Sequence, residues 1–303
     1  MIHNFDELIE KVKSGNVKKR VAVVSAHDEH TLEAIDKAFQ ENIAEPVLIG
    51  DVEKIKDIIT AHNLHLSNVE MIEEKEDRKA ARKAVEMIHE KKADFIMKGK
   101  LQTADLLKEV VDKEHGLQKG GIMSHFGLFE IPGYHKLLVI TDGGMVLYPD
   151  LNQKAKIIEN SVQVLQSLGY EIPKVAVLSA TEVVNPKMPE SVDADQLKKM
   201  NQEGKLENCI VEGPISYDLM ISPESAAIKG YKSPVVGDTD IAVVPNMTAG
   251  NLLAKGLMLS AGGKMAGIIV GAEVPIVIVS RGASAEEKYL SLVLSAASAE
   301  KQV

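Results

Sequence analysis

The stretch VPIVIVSRGASAEEK (274–288) carries the residue types that best suit chemistry on an anion. A β-branched run ends in Ser280, Arg281 and Gly282, and a helix-start signal follows at Ser284. Arg281 offers a planar fork of N–H donors that matches a phosphate group. Gly282 lets the backbone approach a ligand closely. The helix start at Ser284 adds free N–H groups and the positive end of a helix dipole. These are the parts of an anion site at the end of a buried strand; a surface arginine on a turn would use the same residues. Glu287 fits two roles. Ser284-Ala-Glu-Glu287 matches the S-x-x-E capping box, in which Glu287 only satisfies backbone donors. As a general base, a glutamate of ordinary pKa, about 4.3, needs desolvation before it takes a thiol proton near neutral pH.

Other strand ends carry further candidates: Lys98-Gly99-Lys100, Thr141-Asp142-Gly143-Gly144, Glu212-Gly213-Pro214 and Gly237-Asp238. The two lysines attract phosphate, or else decorate a solvated turn. Asp142 and its glycines either face a ligand or close a tight turn. HDEH (27–30) sets His27 and His30 three apart beside two carboxylates. That is a metal-ligand spacing, but no second cluster completes a coordination shell, and Asp28 also fits a helix-start position. No metal site is expected. Cys209, the only cysteine, lies in the strand-like NCIVEG and is expected to be a small buried hydrophobe rather than a nucleophile.

The elements that position these residues alternate regularly. Short Val/Ile-rich runs (21–26, 45–50, 68–73, 94–99, 136–141, 174–180, 208–213, 240–245, 266–271 and 274–280) read as strands. Helix-period stretches fill most of the intervals (31–42, 51–63, 76–92, 103–115, 152–169, 247–262 and 284–300), with a polar one at 189–203. Such alternation means βαβ units and mostly parallel sheets. Ten or so strands exceed one doubly wound sheet, so two α/β lobes are expected. The turn-rich TDGGMVLYPD marks a boundary near 142–150. In such sheets ligands bind beyond the carboxyl ends of the strands.

The chain has 303 residues and is 45% hydrophobic, which suits one large domain or two ordinary ones and disfavours disorder. Its formal net charge of −9 gives no global attraction to nucleic acid or anionic membrane, so an anionic ligand needs a local basic site. A single cysteine fits a reducing compartment. The acidic, amphipathic start does not look like a signal peptide, and no apolar run approaches the ~20 residues of a membrane helix. A cytoplasmic protein is expected. There is no G-x-G-x-x-G after a strand, no G-x-x-x-x-G-K-[ST], no H-E-x-x-H and no G-x-S-x-G, so the standard dinucleotide, P-loop, zincin and hydrolase signatures are missing.

Five segments together resemble the phosphate acetyl/butyryl transferase family: MKGKLQTADLL (97–107), VITDGGMVLYPDLNQKAKIIENS (139–161), EGPISYDLMIS (212–222), GDTDIAVVPNMTAGNLLAKGL (237–257) and PIVIVSRGASAEEK (275–288). VLSATEVVNPKMPESVDA (177–194) is more similar to the butyryl branch than to the acetyl one. The resemblance implies interconversion of a short acyl-CoA plus phosphate with acyl phosphate plus free CoA. It implies a butyryl or branched acyl group, and no metal or redox cofactor. The implied fold is two α/β lobes with mostly parallel sheets and an interlobe cleft, of the isocitrate/isopropylmalate dehydrogenase kind. The first lobe would comprise 1–142 and 268–303, with 143–267 inserted. A homodimer or higher assembly is implied, with no nucleic-acid or membrane partner. On the family pattern Ser280 and Arg281 handle phosphate and CoA. Glu287 stands where the acetyl branch has an aspartate base, which leaves both of its roles open. Lys98, Gly99, Lys100, Thr141, Asp142, Gly143, Gly213, Pro214, Asp238, Gly282 and Ser284 are the expected substrate-binding set. The alternatives are a phosphate acetyltransferase, a metal- and NAD-dependent decarboxylating dehydrogenase of similar fold, and a non-catalytic CoA- or acyl-phosphate-binding module.

Overall fold

The computed structural model describes residues 2–15, 18–280 and 282–299. The chain divides into two α/β units, one built from 5–121 and 266–303, the other from 1–4 and 122–265. The first unit contains α1 (Phe5–Lys13), β1 (Lys19–Val24), α2 (Glu29–Gln40), β2 (Ala44–Gly50), α3 (Val52–Ala61), β3 (Glu70–Glu73), α4 (Asp77–His89), β4 (Phe95–Lys98) and α5 (Thr103–Val110). The second contains β5 (Ser124–Glu130), β6 (Leu138–Thr141), α6 (Leu151–Ser167), β7 (Lys174–Leu178), α7 (Pro189–Gln202), β8 (Ile210–Ile215), α8 (Tyr217–Ile221), α9 (Pro223–Lys229), β9 (Ile241–Val243) and α10 (Met247–Leu259). The chain then returns to the first unit with β10 (Lys264–Val270), β11 (Ile276–Val277) and α11 (Ala285–Ser298).

In the first unit the strand order is β3-β2-β1-β4-β11-β10. Its pairs are parallel except β10 with β11. Central strands buried on both faces need apolar residues at every position rather than at alternate ones. Val21 to Val24 and Phe95 to Met97 satisfy this, each wholly buried. The second unit orders its strands β5-β6-β9-β7-β8, parallel except β5 with β6. Its core gathers Phe129, Leu138, Ile140, Ile215, Leu219 and Met220. Polar N-caps fix where the helices begin: Asp28 for α2, Asp51 for α3, Asp150 in a full capping box for α6, Asn246 for α10 and Ser284 for α11. Among the described residues no helix is long and apolar enough to cross a membrane.

Residues 1–4 group with the second unit rather than the first, and the passage out of the first unit falls at 121/122, earlier than the expected 142. Hydrogen bonding is the reason. β5 pairs with β6, and β6 pairs in parallel with β9, so 124–141 is tied into the strands of the second unit. β5 itself was not expected, because His125 and Gly127 interrupt its apolar pattern. The return at 265/266 lies close to the expected 268.

Candidate active site

Within the first unit a cleft of about 440 Å³ opens where β1, β4 and the segment after β11 end. Its wall includes Asp28, Asp77, Lys98, Lys100, Ser280 and Lys288. This is the carboxyl edge of a parallel sheet, where backbone N–H groups and helix starts face outward. Among the described residues, three lysines against two aspartates make the lining locally positive, although the chain as a whole carries −9. Such a local reversal suits a phosphorylated ligand.

The sequence positions these groups through backbone contacts. At the end of β4, the Gly99 N–H donates to the Val24 carbonyl (2.8 Å) and the Lys100 N–H to the Ser25 carbonyl (2.8 Å). Ser25 itself takes a left-handed conformation, φ 52°, and its hydroxyl donates to Asp77 at the start of α4 (2.7 Å). Lys98 is buried, with its ammonium donating to the Gly99 carbonyl (3.1 Å), whereas Lys100 is exposed. Ser280 is exposed at the cleft, and its carbonyl accepts the Ala283 N–H (3.1 Å), closing a turn before α11. Arg281 lies outside the described residues. Gly282 is exposed with open space around its Cα. Ser284 caps α11 by accepting the Glu287 N–H (3.1 Å). Glu287 is half-buried and is not part of the cleft wall.

Four of the expected residues thus share one cleft: Lys98, Gly99, Lys100 and Ser280. Six others belong to the second unit. There the buried Thr141 hydroxyl donates to the His125 carbonyl (2.8 Å). Asp142 accepts from the N–H groups of Gly144 (2.8 Å), Met145 (2.7 Å), Val146 (3.2 Å) and His125 (3.0 Å), so its carboxylate closes the turn. The His125 ring is buried, which pushes its pKa down and outweighs the opposing pull of Asp142. Gly143 packs on α10: a Cβ there would stand 3.1 Å from the Gly250 carbonyl carbon. Gly213 brings β8 against β7 and α7, with Val177 and Ala194 about 3 Å from where its Cβ would be. The Gly213–Pro214 and Thr141–Asp142 peptides are cis.

Asp238 requires a correction. It does not follow a strand but precedes β9, at the amino edge of its sheet. Its carboxylate pairs with Lys136 (2.7 Å), Lys174 and His135 (3.2 Å), and Lys136 also pairs with Asp240 (2.7 Å). Burial would raise the pKa of Asp238; the hydrogen bonds from Lys136 and Lys174 dominate and hold it far below the usual range. This ion cluster fastens the starts of β6, β7 and β9 together.

His27 and His30 do not converge. His30 bonds Glu33 (3.1 Å) and gathers with Glu29 on the exposed first turn of α2. His27 is half-buried, with Nδ1 lacking a hydrogen-bond partner among the described residues; burial, then Lys54 and Lys100, lower its pKa. Cys209 is buried, and its thiol is pushed up to about 11 by burial and by Glu159, which suits an inert hydrophobe.

Sequence reasoning missed Lys288, Asp77 and the cleft-facing role of Asp28. One signal for Lys288 was present. A cation in the first turn of a helix opposes the helix dipole and calls for an anionic partner.

A family model described as phosphate acetyl/butaryl transferase matches residues 4–82 and 74–296. The chain belongs to the phosphate acetyl/butaryl transferase family. It is 42% identical over 296 residues to the phosphate butyryltransferase of Clostridium acetobutylicum, covering 98% of each chain. It is 43% identical over 278 residues to the phosphate acetyltransferase of Thermotoga maritima, covering 92% of this chain and 94% of that one. A solved branched-chain phosphotransacylase from Enterococcus faecalis V583 superposes with a TM-score of 0.84 at 33% identity, over 93% of this chain and 99% of that one. The 4-hydroxythreonine-4-phosphate dehydrogenase of Klebsiella pneumoniae shares the fold alone, with a TM-score of 0.55 at 13% identity over 93% of this chain and 100% of that one. Family membership makes the chain an acyltransferase of the phosphotransacylase kind, with CoA and phosphate as substrates.

Proposed function

We propose that this enzyme exchanges phosphate and CoA on a butyryl or branched short-chain acyl group, and that the cleft at the ends of β1 and β4 is where the phosphoryl group sits. The observation that carries this is the lysine-rich lining of that cleft, with Ser280 on its wall, in a chain of net charge −9. Identity of 42% to a phosphate butyryltransferase over nearly the whole chain, and the fit to a branched-chain phosphotransacylase, support the acyl class.

Phosphate oxygen attacks the thioester carbonyl, a tetrahedral centre with an oxyanion forms, and the C–S bond breaks to release CoA thiolate. In reverse the thiolate attacks the acyl phosphate and phosphate leaves. No covalent enzyme intermediate is needed, because fixing two substrates in line removes several kcal/mol of the barrier. Ser280 and Arg281 stabilise charge that grows in the transition state. Glu287, which lies outside the cleft wall and whose N–H meets the Ser284 cap, is the candidate to receive the thiol proton in the reverse direction. Lys98 and Lys100 hold phosphate oxygens as point charges. A small apolar pocket separates neighbouring chain lengths by only ~1–3 kcal/mol per methylene, so propionyl and valeryl groups also react. The working unit is a homodimer or a higher assembly of this chain.

The test is release of free thiol from butyryl-CoA, isobutyryl-CoA and acetyl-CoA, with and without inorganic phosphate. Phosphate-dependent release, fastest with the four-carbon substrates, is expected. Release that ignores phosphate would make the protein a thioesterase. No release by a folded protein that still binds CoA would make it a binding module.

A further inference from the structure

We infer that Lys288 is a phosphoryl-binding residue of this cleft, held in place by Asp28 and Thr31. Its side chain is buried, yet it forms part of the cleft wall. Its ammonium donates to Asp28 Oδ2 (2.5 Å) and to Thr31 Oγ1 (2.9 Å). The Thr31 hydroxyl in turn donates to the same Asp28 oxygen, which also accepts the Thr31 N–H (2.9 Å). An ammonium carries three donors. Among the described residues Asp28 and Thr31 take two, which leaves the third for an acceptor on the cleft side.

The location is costly without such an acceptor. Lys288 stands in the first turn of α11, where a cation opposes the helix dipole. Asp28 supplies one neutralising charge, but it caps α2 at the same time, so one carboxylate oxygen serves three donors. Burial would raise the pKa of Asp28, while the bonds from Lys288 and Thr31 prevail and lower it, so this carboxylate stays ionised at neutral pH. A phosphoryl oxygen on the cleft side supplies the missing negative charge, and the two anchors fix the ammonium before ligand arrives. Lysine flexibility is then lost on folding rather than on binding. This also ties α11, which follows Ser280, to the β1–α2 connection that meets Lys100 through Ser25.

The phosphoryl group belongs either to inorganic phosphate or to CoA, and the inference rests on the phosphotransacylase reading of this cleft. Lys288→Met and Lys288→Gln would be assayed beside the wild-type protein for turnover, KM for phosphate and KM for CoA. The Gln variant keeps an N–H donor for Asp28 and so guards the fold. Loss of a charge-assisted hydrogen bond predicts a rise of about 10–100-fold in one KM, with kcat changed less. A rise for phosphate assigns the inorganic ion, and a rise for CoA assigns the nucleotide's phosphates. Folded variants with wild-type KM for both substrates would overturn the assignment. Should both variants melt, inorganic phosphate or CoA must slow amidination of Lys288 in wild-type protein, read by mass spectrometry. Equal labelling with and without each ligand would overturn it too. Wild-type protein without turnover would sink the activity instead, and the labelling arm would still decide whether Lys288 meets an anion.

Discussion

Gly99 lies directly against the backbone of Ser25: a Cβ at position 99 would stand 2.4 Å from the Ser25 carbonyl oxygen and 2.7 Å from that of Val24. Both neighbours are backbone atoms of the same turn, so neither can swing aside. The contact is what lets Lys98 and Lys100 leave β4 at the cleft. Gly99→Ala therefore must push β4 away from β1, at about 1–3 kcal/mol, the usual cost of overpacking. The expected result is a lower Tm together with a larger loss of turnover, because both lysines shift. A thermal melt and a thiol-release assay on the same preparation check it. Wild-type values in both would show that the turn relaxes freely.

Ser280→Ala and Arg281→Ala separate charge stabilisation from folding. The turn after β11 is closed by the Ser280 carbonyl, a main-chain group that alanine retains. Arg281 is tested on its place in the sequence, as the lone arginine of a strand-end anion motif. Each change is expected to cut kcat by ~10²–10³, the usual effect of removing one oxyanion donor. Stability should move by no more than about 0.5 kcal/mol. Urea denaturation beside steady-state kinetics decides; near-normal turnover in Arg281→Ala would remove its role.

Glu287→Gln distinguishes base from cap. The helix cap uses the Glu287 main-chain N–H, accepted by Ser284, and an amide side chain leaves that bond untouched. The Tm should therefore stay put. Loss of the base is expected to lower turnover by ~10²–10⁴, the typical worth of general base catalysis. An unchanged rate would leave Glu287 as a helix-start residue and nothing more.

The alternation of Val/Ile runs with helical stretches made the α/β class legible, because strands buried on both faces must be apolar throughout. β1, β2 and β4 were visible for that reason. β5 was not, since His125 and Gly127 break its pattern, and that omission displaced the first unit boundary. At the site, Lys98, Lys100 and Ser280 could be found from strand ends alone, by the rule that ligands meet the carboxyl edge of a parallel sheet. Lys288 could not be paired with Asp28, which lies 260 residues away in the chain. Asp238 misled because a polar residue next to a strand looks the same at either end. Only its lysine partners reveal that it serves the amino edge.

That amino-edge cluster makes its own prediction. Lys136 is wholly buried and neutralises both Asp238 and the buried Asp240. Lys136→Met removes the cation and strands Asp240, so a loss of about 3–5 kcal/mol is expected, as for other broken buried pairs. The cleft of the first unit holds none of these residues, so kcat of the protein that remains folded should change little. Asp238→Asn probes the pH dependence. Its folded pKa is depressed, so its ionic contribution is complete above the unfolded value, near 3.9, and is lost as pH falls through the folded one. The stability gap between wild type and Asp238→Asn should therefore close only below about pH 4. Urea melts from neutral pH to below that point give the measurement. A gap that closed between pH 5 and 7 would mean that some other group, not this carboxylate, carries the effect.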